Sequence, residues 1–307
     1  MKKFIYNALL FTIIACMGYV VLLWIFGSMG WVRTATTKMG GTDHLCTRVR
    51  EIPQYHNVDI LFLGSSHSYR TFDTRFYRAH GYNCFNLGSS NQTPIQTHVL
   101  LEAYLDSLHP KQVVMEVHPD ILNQDGIESA VGLLTNVPLT KEMTHMAWKT
   151  GNMKAINTWL YAIFSQKLSQ RFDSFVEDSI INHAAYVPGG FVEVDTVVFE
   201  RKRYPKRPIT IRPEQMEALK SCIEMFKDRN IPYMLVQVQD AEQLRSSFTN
   251  EDWFAQQMSA LGPFHYEVLP MDDTVHFYNS NHLSQSGIEM FNEYFIKILS
   301  HDQTLAN

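Results

Sequence analysis

Residues 58–70 read V-D-I-L-F-L-G-S-S-H-S-Y-R, and this stretch organises the rest of the chain. The unbroken apolar run at 60–63 predicts a buried strand, which leads directly into Gly64-Ser65-Ser66-His67-Ser68. Open α/β sheets bind their ligands beyond the carboxyl ends of their strands. A serine on a tight turn between strand and helix can present its hydroxyl beside free backbone N–H groups. Ser66 is therefore a candidate nucleophile, although a Gly-Ser-Ser turn taken alone is also a common structural turn.

Predicted strands and helices alternate on both sides of this stretch. Strands are predicted at 58–64, 82–87, 112–118, 232–238 and near 266–270, and helices at 73–80, 94–108, 213–229, 250–260 and 284–299. Such alternation with short loops predicts an α/β fold, in which a parallel sheet of about five strands carries helices on both faces.

Residues 120–207 interrupt the alternation and are predicted to form a largely helical insertion. Helical patterns occur near 128–134, 140–165 and 166–184, followed by an extended, charged run at 191–207. The insertion is either a structural lid or a cap that selects the substrate. In the second interpretation, aromatic side chains would line a groove, and the candidates are Trp148, Trp159, Tyr161, Phe164 and Tyr186.

The first 30 residues predict a membrane anchor. Lys2 and Lys3 precede an uncharged stretch, residues 4–27, which is long enough to cross a bilayer as a helix. It is too long for a cleaved secretory signal, and cleavage at the lipoprotein-like box ending at Cys16 would leave an apolar stub. The two lysines predict a cytoplasmic amino terminus and a main domain outside the cytoplasm, although Arg33 and Lys38 weaken that bias. Residues 31–57 are predicted to be a polar lead-in.

Charge and cysteine content exclude some functions and leave others open. A net charge of -5 over 307 residues gives no electrostatic footprint for nucleic acid. Cys46 and Cys84 are either a disulfide pair in an oxidising compartment or buried free thiols. The spacing of cysteines and histidines does not suggest a zinc site.

Three further segments fall into a recognisable order with the Ser66 turn. Gly88-Ser89-Ser90-Asn91 follows the second strand, Glu116-Val117-His118-Pro119-Asp120 ends the third, and Asn279-Ser280-Asn281-His282 precedes the last helix. This order resembles the blocks of the SGNH/GDSL hydrolase superfamily over residues 58–119 and 210–300. The anchor and the G-S-S-H-S variant are most similar to its membrane-anchored branch, which includes DltD-like D-alanyl-transfer proteins and exopolysaccharide O-acetyltransferases. The resemblance implies a three-layer, flavodoxin-like sheet at 58–300.

The same resemblance implies a role for each block. Ser66 would be the nucleophile and His282 its base. The backbone N–H groups of Ser66 and Gly88 would hold the oxyanion. The family's G-x-N-D asparagine is absent, and Asn91, or alternatively His118, would replace it as the third donor.

The position of the triad acid departs from the family pattern. The residue three positions before the histidine is Asn279, which can orient an imidazole but contributes no charge. Asp272 or Asp273 could serve instead. His67, beside the serine, is expected to point elsewhere, and Arg70 is either a surface residue or a ligand for an anionic substrate group.

These patterns predict a membrane-anchored, extracytoplasmic acyltransferase or esterase that forms a serine acyl-enzyme. Its substrate would be an O-acyl group, expected to be acetyl, on a cell-surface glycan. The resemblance implies a membrane-bound O-acyltransferase partner and neither a metal nor an organic cofactor. Because of Asn279, the alternative is a non-catalytic SGNH-fold envelope protein that binds glycan or scaffolds an export or acylation complex.

Overall fold

A central parallel sheet forms the core of the chain in a computed structural model, which describes residues 1–32, 36–195 and 199–305, and side chains as far as residue 300. Its strands are β1 (Ile60–Leu63), β2 (Cys84–Asn86), β3 (Gln112–Glu116), β7 (Tyr233–Val236) and β8 (Phe264–His265). They lie in the order β2-β1-β3-β7-β8, and every neighbouring pair is parallel. The predicted α/β class with a five-stranded parallel sheet is therefore confirmed.

The order of the strands locates a natural binding position. The chain passes from β1 outward to β2 and then returns to the other side of β1 as β3. Loops that leave the carboxyl ends of β1 and β3 diverge at such a reversal, and the crevice between them is where doubly wound sheets bind ligands. The Ser66 turn follows β1 and the segment ending at His118 follows β3.

Helices cover the sheet because its central strands are apolar on both faces. All four residues of β1 are buried, as are the last four of β3. Strands buried on both faces read as continuous apolar runs, which is why these two were predictable from the sequence. The helices are α1 (Lys2–Ser28), α2 (Leu45–Glu51), α3 (Ser66–Tyr69), α4 (Thr74–Ala79), α5 (Pro94–Leu108), α6 (Pro119–Leu122), α7 (Ile127–Asn136), α8 (Lys141–Lys149), α9 (Met153–Ile163), α10 (Arg171–Ser174), α11 (Pro213–Asp228), α12 (Glu242–Arg245), α13 (Glu251–Ser259), α14 (Asp273–His276) and α15 (Gln285–Leu305), with a 3₁₀ turn at Ile52–Gln54 and a π-helical turn at Phe164–Leu168.

The chain divides into two compact units. The first unit comprises Met1–Met39 and Ala130–Val176, and the second comprises Gly40–Ser129 and Glu177–Asn307. The first unit contains α1, which is long and apolar enough to span a membrane. The second unit contains the parallel sheet and the Ser66 turn.

Two predicted elements were wrong. The helix predicted at 166–184 is replaced from residue 180 by an antiparallel sheet of β4 (Ile180–Ile181), β5 (Ala184–Val187) and β6 (Phe191–Val194). Glycines at 189 and 190 adopt positive φ angles of 93° and 95° in the β5–β6 turn, so the apolar residues before them pair as a hairpin instead of continuing a helix. The strand predicted near 266–270 lies earlier, at β8.

The segment predicted as a polar lead-in contains part of the core. Helix α2 buries Leu45, Cys46, Arg48 and Val49. Cys46 and Cys84 are both buried free thiols, so they do not form the disulfide that the sequence left open. A short helix with one fully buried cation is hard to foresee, because arginine is rarely found inside a protein.

Of the five aromatic residues considered as cap residues, four belong to the first unit and Tyr186 belongs to the second. Trp148 contacts Trp159 edge to face, with ring centroids 5.5 Å apart, and Phe164 stacks on Trp24 of α1 at 5.8 Å. Tyr186 belongs to β5 in the second unit, where its hydroxyl donates to Glu51. These contacts give Trp148, Trp159 and Phe164 a packing role within the first unit.

Candidate active site

Gly64 allows the chain to turn sharply as it leaves β1. Its φ angle is +133°, and a Cβ atom there would lie 2.6 Å from Oε2 of Glu116 on β3. The missing side chain leaves room for that carboxylate, which accepts from the backbone N–H of Ser65 at 2.8 Å and from its hydroxyl at 2.9 Å. Burial raises the pKa of Glu116. The turn is therefore held to β3 by a buried carboxylate.

The three serines of the turn have different environments. Ser65 is fully buried, bonds Glu116, and caps the short helix α3. Ser68 is also buried, and its hydroxyl donates to Oδ1 of Asn86 at 3.3 Å. Ser66 alone is partly exposed. Of the three, only Ser66 combines partial exposure with a base, because the Ser65 hydroxyl is buried against Glu116 and His67.

The base that faces the Ser66 hydroxyl is His282. Its Nε2 lies 2.7 Å from Oγ of Ser66, although 215 residues separate the two in the chain. Its Nδ1 lies 3.1 Å from Oδ1 of Asn279, across the turn between β9 (Phe277–Asn279) and β10 (His282–Leu283). The structure thus brings Ser66, His282 and Asn279 together in one hydrogen-bonded row.

The backbone determines which way the Asn279 amide faces. Its Oδ1 also accepts from the N–H groups of Asn281 and His282, each at 3.0 Å. Two backbone donors require the oxygen, not the NH₂ group, at this position. Nδ1 of His282 must then carry the proton, and Nε2 presents a lone pair to the serine hydroxyl. This is the tautomer that a general base needs.

The two aspartates that the sequence offered as substitutes lie elsewhere. Asp272 caps α14 through Thr274, and Asp273 accepts from the backbone N–H groups of Glu242 and Gln243. Within the described chain, neither bonds His282. The position of the triad acid is therefore occupied by an uncharged amide.

Its surroundings make His282 a weak base. Removal from water is the first cause that lowers its pKa well below the usual value, and the positive charges of Arg70 and His118 lower it further. Burial and nearby cations both disfavour a charged imidazolium. The ring is therefore neutral at neutral pH and ready to accept a proton.

A second histidine supports the ring from the side. His67 stacks on His282 with centroids 5.0 Å apart and planes 17° from parallel. It is buried, and its Nδ1 lies 2.9 Å from the hydroxyl of Ser65. Burial, followed by the charges of His118 and His282, holds the pKa of His67 well below its usual range. As expected for the direct neighbour of Ser66, it does not bond the Ser66 hydroxyl, but it packs against the base.

His118 completes a stack of three imidazoles. Its ring lies 4.1 Å from that of His67 and 6° from parallel. Nε2 of His118 is 3.0 Å from each carboxylate oxygen of Asp240, and both side chains are buried. Burial alone would lower its pKa, but the charge and hydrogen bond of Asp240, with the charges of Glu116 and Asp120, together outweigh burial and raise the pKa of His118 to about 9. Nδ1 lies 3.2 Å from the backbone nitrogen of Asp120, whose N–H only the neutral ring can accept, and Nε2 faces Asp240 with a proton in either charge state.

The stack does not offer a converging set of metal ligands. Ligand atoms of His67, His118 and Asp240 lie within 4.8 Å of one another. Imidazole binds a metal in the plane of its ring, and two rings only 6° from parallel direct their lone pairs side by side instead of toward one point. Both nitrogens of His118 are also engaged, by Asp240 and Asp120.

One of the expected oxyanion donors is available and the other is engaged. Ser66 is the first residue of α3, and its N–H has no acceptor among the described residues. The expectation for Gly88 needs correction: its N–H donates to Oδ1 of Asn86 at 3.0 Å. Asn91 lies in the following turn with φ of 50°, and in the described structure no hydrogen bond joins its side chain to the side chain of Ser66 or His282. His118 is bonded to Asp240 and does not fill the gap.

Arg48 was not predicted from the sequence to lie near this site. Its guanidinium is fully buried and donates to the carbonyl oxygen of Gly88 at 2.6 Å and to that of Gly190 at 3.0 Å. It also lies 4.9 Å from the ring centroid of Tyr69. Arg48 therefore positions the Gly88 loop. Arg70, in contrast, is partly exposed and has no carboxylate partner in the described structure.

Comparisons with known proteins give distant likenesses. A provisionally assigned acylhydrolase from Bacteroides fragilis NCTC 9343, a crystal structure at 2.00 Å, is 12% identical with a TM-score of 0.38, covering 83% of this chain and 94% of that one. A gut microbial diltiazem-metabolizing enzyme is 14% identical with a TM-score of 0.27, covering 79% of this chain and 47% of that one. Likenesses at this level carry no conclusion about activity. No family model and no curated protein sequence matches the chain.

Proposed function

We propose that the protein is a serine-dependent acyltransferase or esterase of the SGNH type. The observation that carries the proposal is the row Ser66–His282–Asn279 at the carboxyl end of β1, with Oγ to Nε2 at 2.7 Å and the base in the required tautomer. A serine hydroxyl is a poor nucleophile by itself, and a base at hydrogen-bond distance is the arrangement that activates it.

The proposed reaction proceeds in two halves. Oγ of Ser66 attacks the acyl carbon while Nε2 of His282 takes the hydroxyl proton. The N–H of Ser66 donates to the oxyanion that forms. The ester bond then breaks, the leaving alcohol takes the proton from His282, and the acyl group remains on Ser66. In the second half, water or an acceptor hydroxyl repeats the sequence and releases the acyl group.

The location and substrate follow from the anchor and from the family resemblance. We propose that α1 crosses the membrane with Lys2 and Lys3 on the cytoplasmic side, so that the main domain is extracytoplasmic. The substrate is an O-acyl group, proposed to be acetyl, of a cell-surface glycan. A membrane-bound O-acyltransferase is the proposed partner that delivers the acyl group across the bilayer.

A non-catalytic role is the second candidate, and two observations favour it. Asn279 contributes no charge to the base, and the Gly88 N–H is taken by Asn86. In this case, the same crevice would bind glycan, or the protein would scaffold an export or acylation complex.

Two activity assays separate these candidates. The full chain in detergent should hydrolyse p-nitrophenyl acetate, and cells that produce it should alter the O-acetyl content of their surface glycan. Both signals should disappear with Ser66→Ala and persist with Ser68→Ala, because the Ser68 hydroxyl is buried against Asn86. A folded wild-type protein that fails in both assays would support the non-catalytic role.

A further inference from the structure

The first part of α1 is exposed over a length that approaches that of a bilayer. Residues 1–18 are exposed, whereas Tyr19 bonds Asn157, and Leu23 and Gly27 are buried. From Lys2 to Gly18 the helix extends about 25 Å, close to the ~30 Å of a hydrocarbon core. Protein packing around α1 therefore begins where a spanning segment would leave the membrane.

Helix α9 is the element that packs against the remainder of α1. The hydroxyl of Tyr19 donates to Oδ1 of Asn157 at 2.8 Å, and Trp24 stacks on Phe164. A Cβ on Gly27 would lie 2.8 Å from the ring of Tyr161, so the two helices approach closely there. Asn157 meets Tyr19, and Tyr161, about one turn later on α9, meets Gly27, so both helices run in the same direction.

This direction places the turn between α8 and α9 on the membrane side. Met153, the first residue of α9, precedes Asn157 by one helical turn, or about 6 Å along the axis. The α8–α9 turn, residues 148–154, thus lies level with the exposed, bilayer-length part of α1.

The composition of this turn suits a membrane interface. It reads W-K-T-G-N-M-K and contains no acidic residue. Trp148 is 56% exposed and Met153 is 60% exposed, and Lys149 and Lys154 beside them are also exposed. Tryptophan and lysine are the side chains that anchor segments at the boundary between lipid and water, where the ring enters the headgroup layer and the ammonium reaches phosphate.

We infer that the α8–α9 turn inserts into the headgroup layer of the leaflet from which α1 emerges. Trp148 and Met153 enter the lipid, and Lys149 and Lys154 bind the phosphates of anionic phospholipid. The inference rests on the membrane anchoring in the proposed function and adds a second attachment point. Its occupant is the lipid surface itself, because the patch is continuous with the spanning helix and carries the charge opposite to anionic headgroups.

Leu168 provides a matched control within the same unit. It is 69% exposed and apolar, but it follows Phe164, which packs on Trp24, beyond the bilayer-length part of α1. The inference therefore places Met153 in lipid and Leu168 in water, although both are exposed apolar side chains.

A site-specific fluorophore tests the inference in the full chain. Cys16 is replaced by Ala, and a single cysteine is introduced as Met153→Cys or as Leu168→Cys for labelling with NBD. The native thiols that remain are buried, and burial raises the pKa of Cys46 to about 11, that of Cys84 to about 12 and that of Cys222 as well, so they are unreactive. The labelled proteins are reconstituted in nanodiscs of phosphatidylcholine with phosphatidylglycerol.

Two quenchers report the position of the probe. At Met153→Cys, dibrominated lipid should quench NBD, and iodide should quench it several-fold less than at Leu168→Cys. Reversal of both lysines, Lys149→Glu with Lys154→Glu, should weaken lipid quenching, because each lysine contributes about fivefold to partitioning at an anionic surface. Equal access of iodide at both positions, in a protein that resists carbonate extraction, would overturn the inference. Release by carbonate would instead overturn the proposed anchoring itself.

Discussion

Replacing Asn279 with aspartate should accelerate acylation of Ser66. Nδ1 of His282 lies 3.1 Å from Oδ1 of Asn279, so the new carboxylate would sit beside the imidazolium that forms when the serine proton is transferred. The pKa of the new aspartate would stay low because the backbone N–H groups of Asn281 and His282 already donate to the side-chain oxygen at this position.

The size of the gain follows from the distance and from what the amide already supplies. A unit charge about 4 Å from the imidazolium contributes ~4 kcal/mol at an effective dielectric constant of about 20. Part of this is offset because the carboxylate must lose water. Asn279 already holds His282 in the correct tautomer, so the part of the rate gain that comes from fixing the tautomer is not gained again. A net gain of about 1.5–3 kcal/mol corresponds to roughly ten- to hundredfold in rate.

The assay is the second-order rate of labelling by a fluorophosphonate, which reports formation of the covalent bond to serine. Asn281→Asp is the matched control, because it adds the same charge two residues away, and no bond joins the Asn281 side chain to His282 in the described structure. An unchanged or slower rate in Asn279→Asp, with the protein still folded, would refute the claim that residue 279 acts on the charge of His282.

Three other changes test the surroundings of this row. Because the pKa of His282 is lowered well below its usual value, the labelling rate should stay level from about pH 8 to about pH 6 and fall only at lower pH. Arg70→Gln removes one of the charges that lower the pKa of His282, so this fall in labelling rate should move to higher pH. If it did not move, the electrostatic account would be contradicted. In the folded state, the pKa of His118 beside Asp240 is raised to about 9. The charged His118–Asp240 pair therefore stabilises the folded state fully below about pH 6.5, and this stabilisation is lost as the pH rises through about 9. Asp240→Asn should cost about 1–3 kcal/mol in urea unfolding at pH 6 and remove that pH dependence; an unchanged profile would show that the pair is not a charged one. Gly64→Ala should destabilise the fold by more than about 2 kcal/mol, since its Cβ would overlap a carboxylate on β3, and near-native thermal unfolding would argue against the described turn.

The sequence predicted the parts of the fold that depend on continuous patterns. Strand β1 is apolar throughout, and β3 is apolar in its middle three residues. A short continuous apolar run was therefore enough to identify each strand. The hairpin of β5 and β6 was missed because its strands are short and its apolar residues also fit a helical period. Strand β8 has two residues, too few for any periodicity to identify.

The parts of the site that could be predicted are those in which the functional residues lie close together in the sequence, on a single turn. Asn279 and His282 lie three residues apart on a single β-turn, and the serine follows a strand directly. The histidine stack joins His67, His118 and His282 from three separate segments of the chain, and no sequence spacing encodes such a contact. Asp240 lies just beyond the carboxyl end of β7. This position at the edge of the sheet was the one sequence feature that pointed to Asp240 as a residue of the active site.

Mass-spectrometric localisation of a fluorophosphonate on the full chain tests the central claim most directly, namely that His282 activates Ser66. The account predicts one adduct, on the peptide that carries Ser66, which is lost in Ser66→Ala and in His282→Ala and retained in Ser68→Ala. Ser65 and Ser68 should stay unmodified because both are buried. An adduct on another serine, or undiminished labelling of Ser66 in a folded His282→Ala protein, would contradict it.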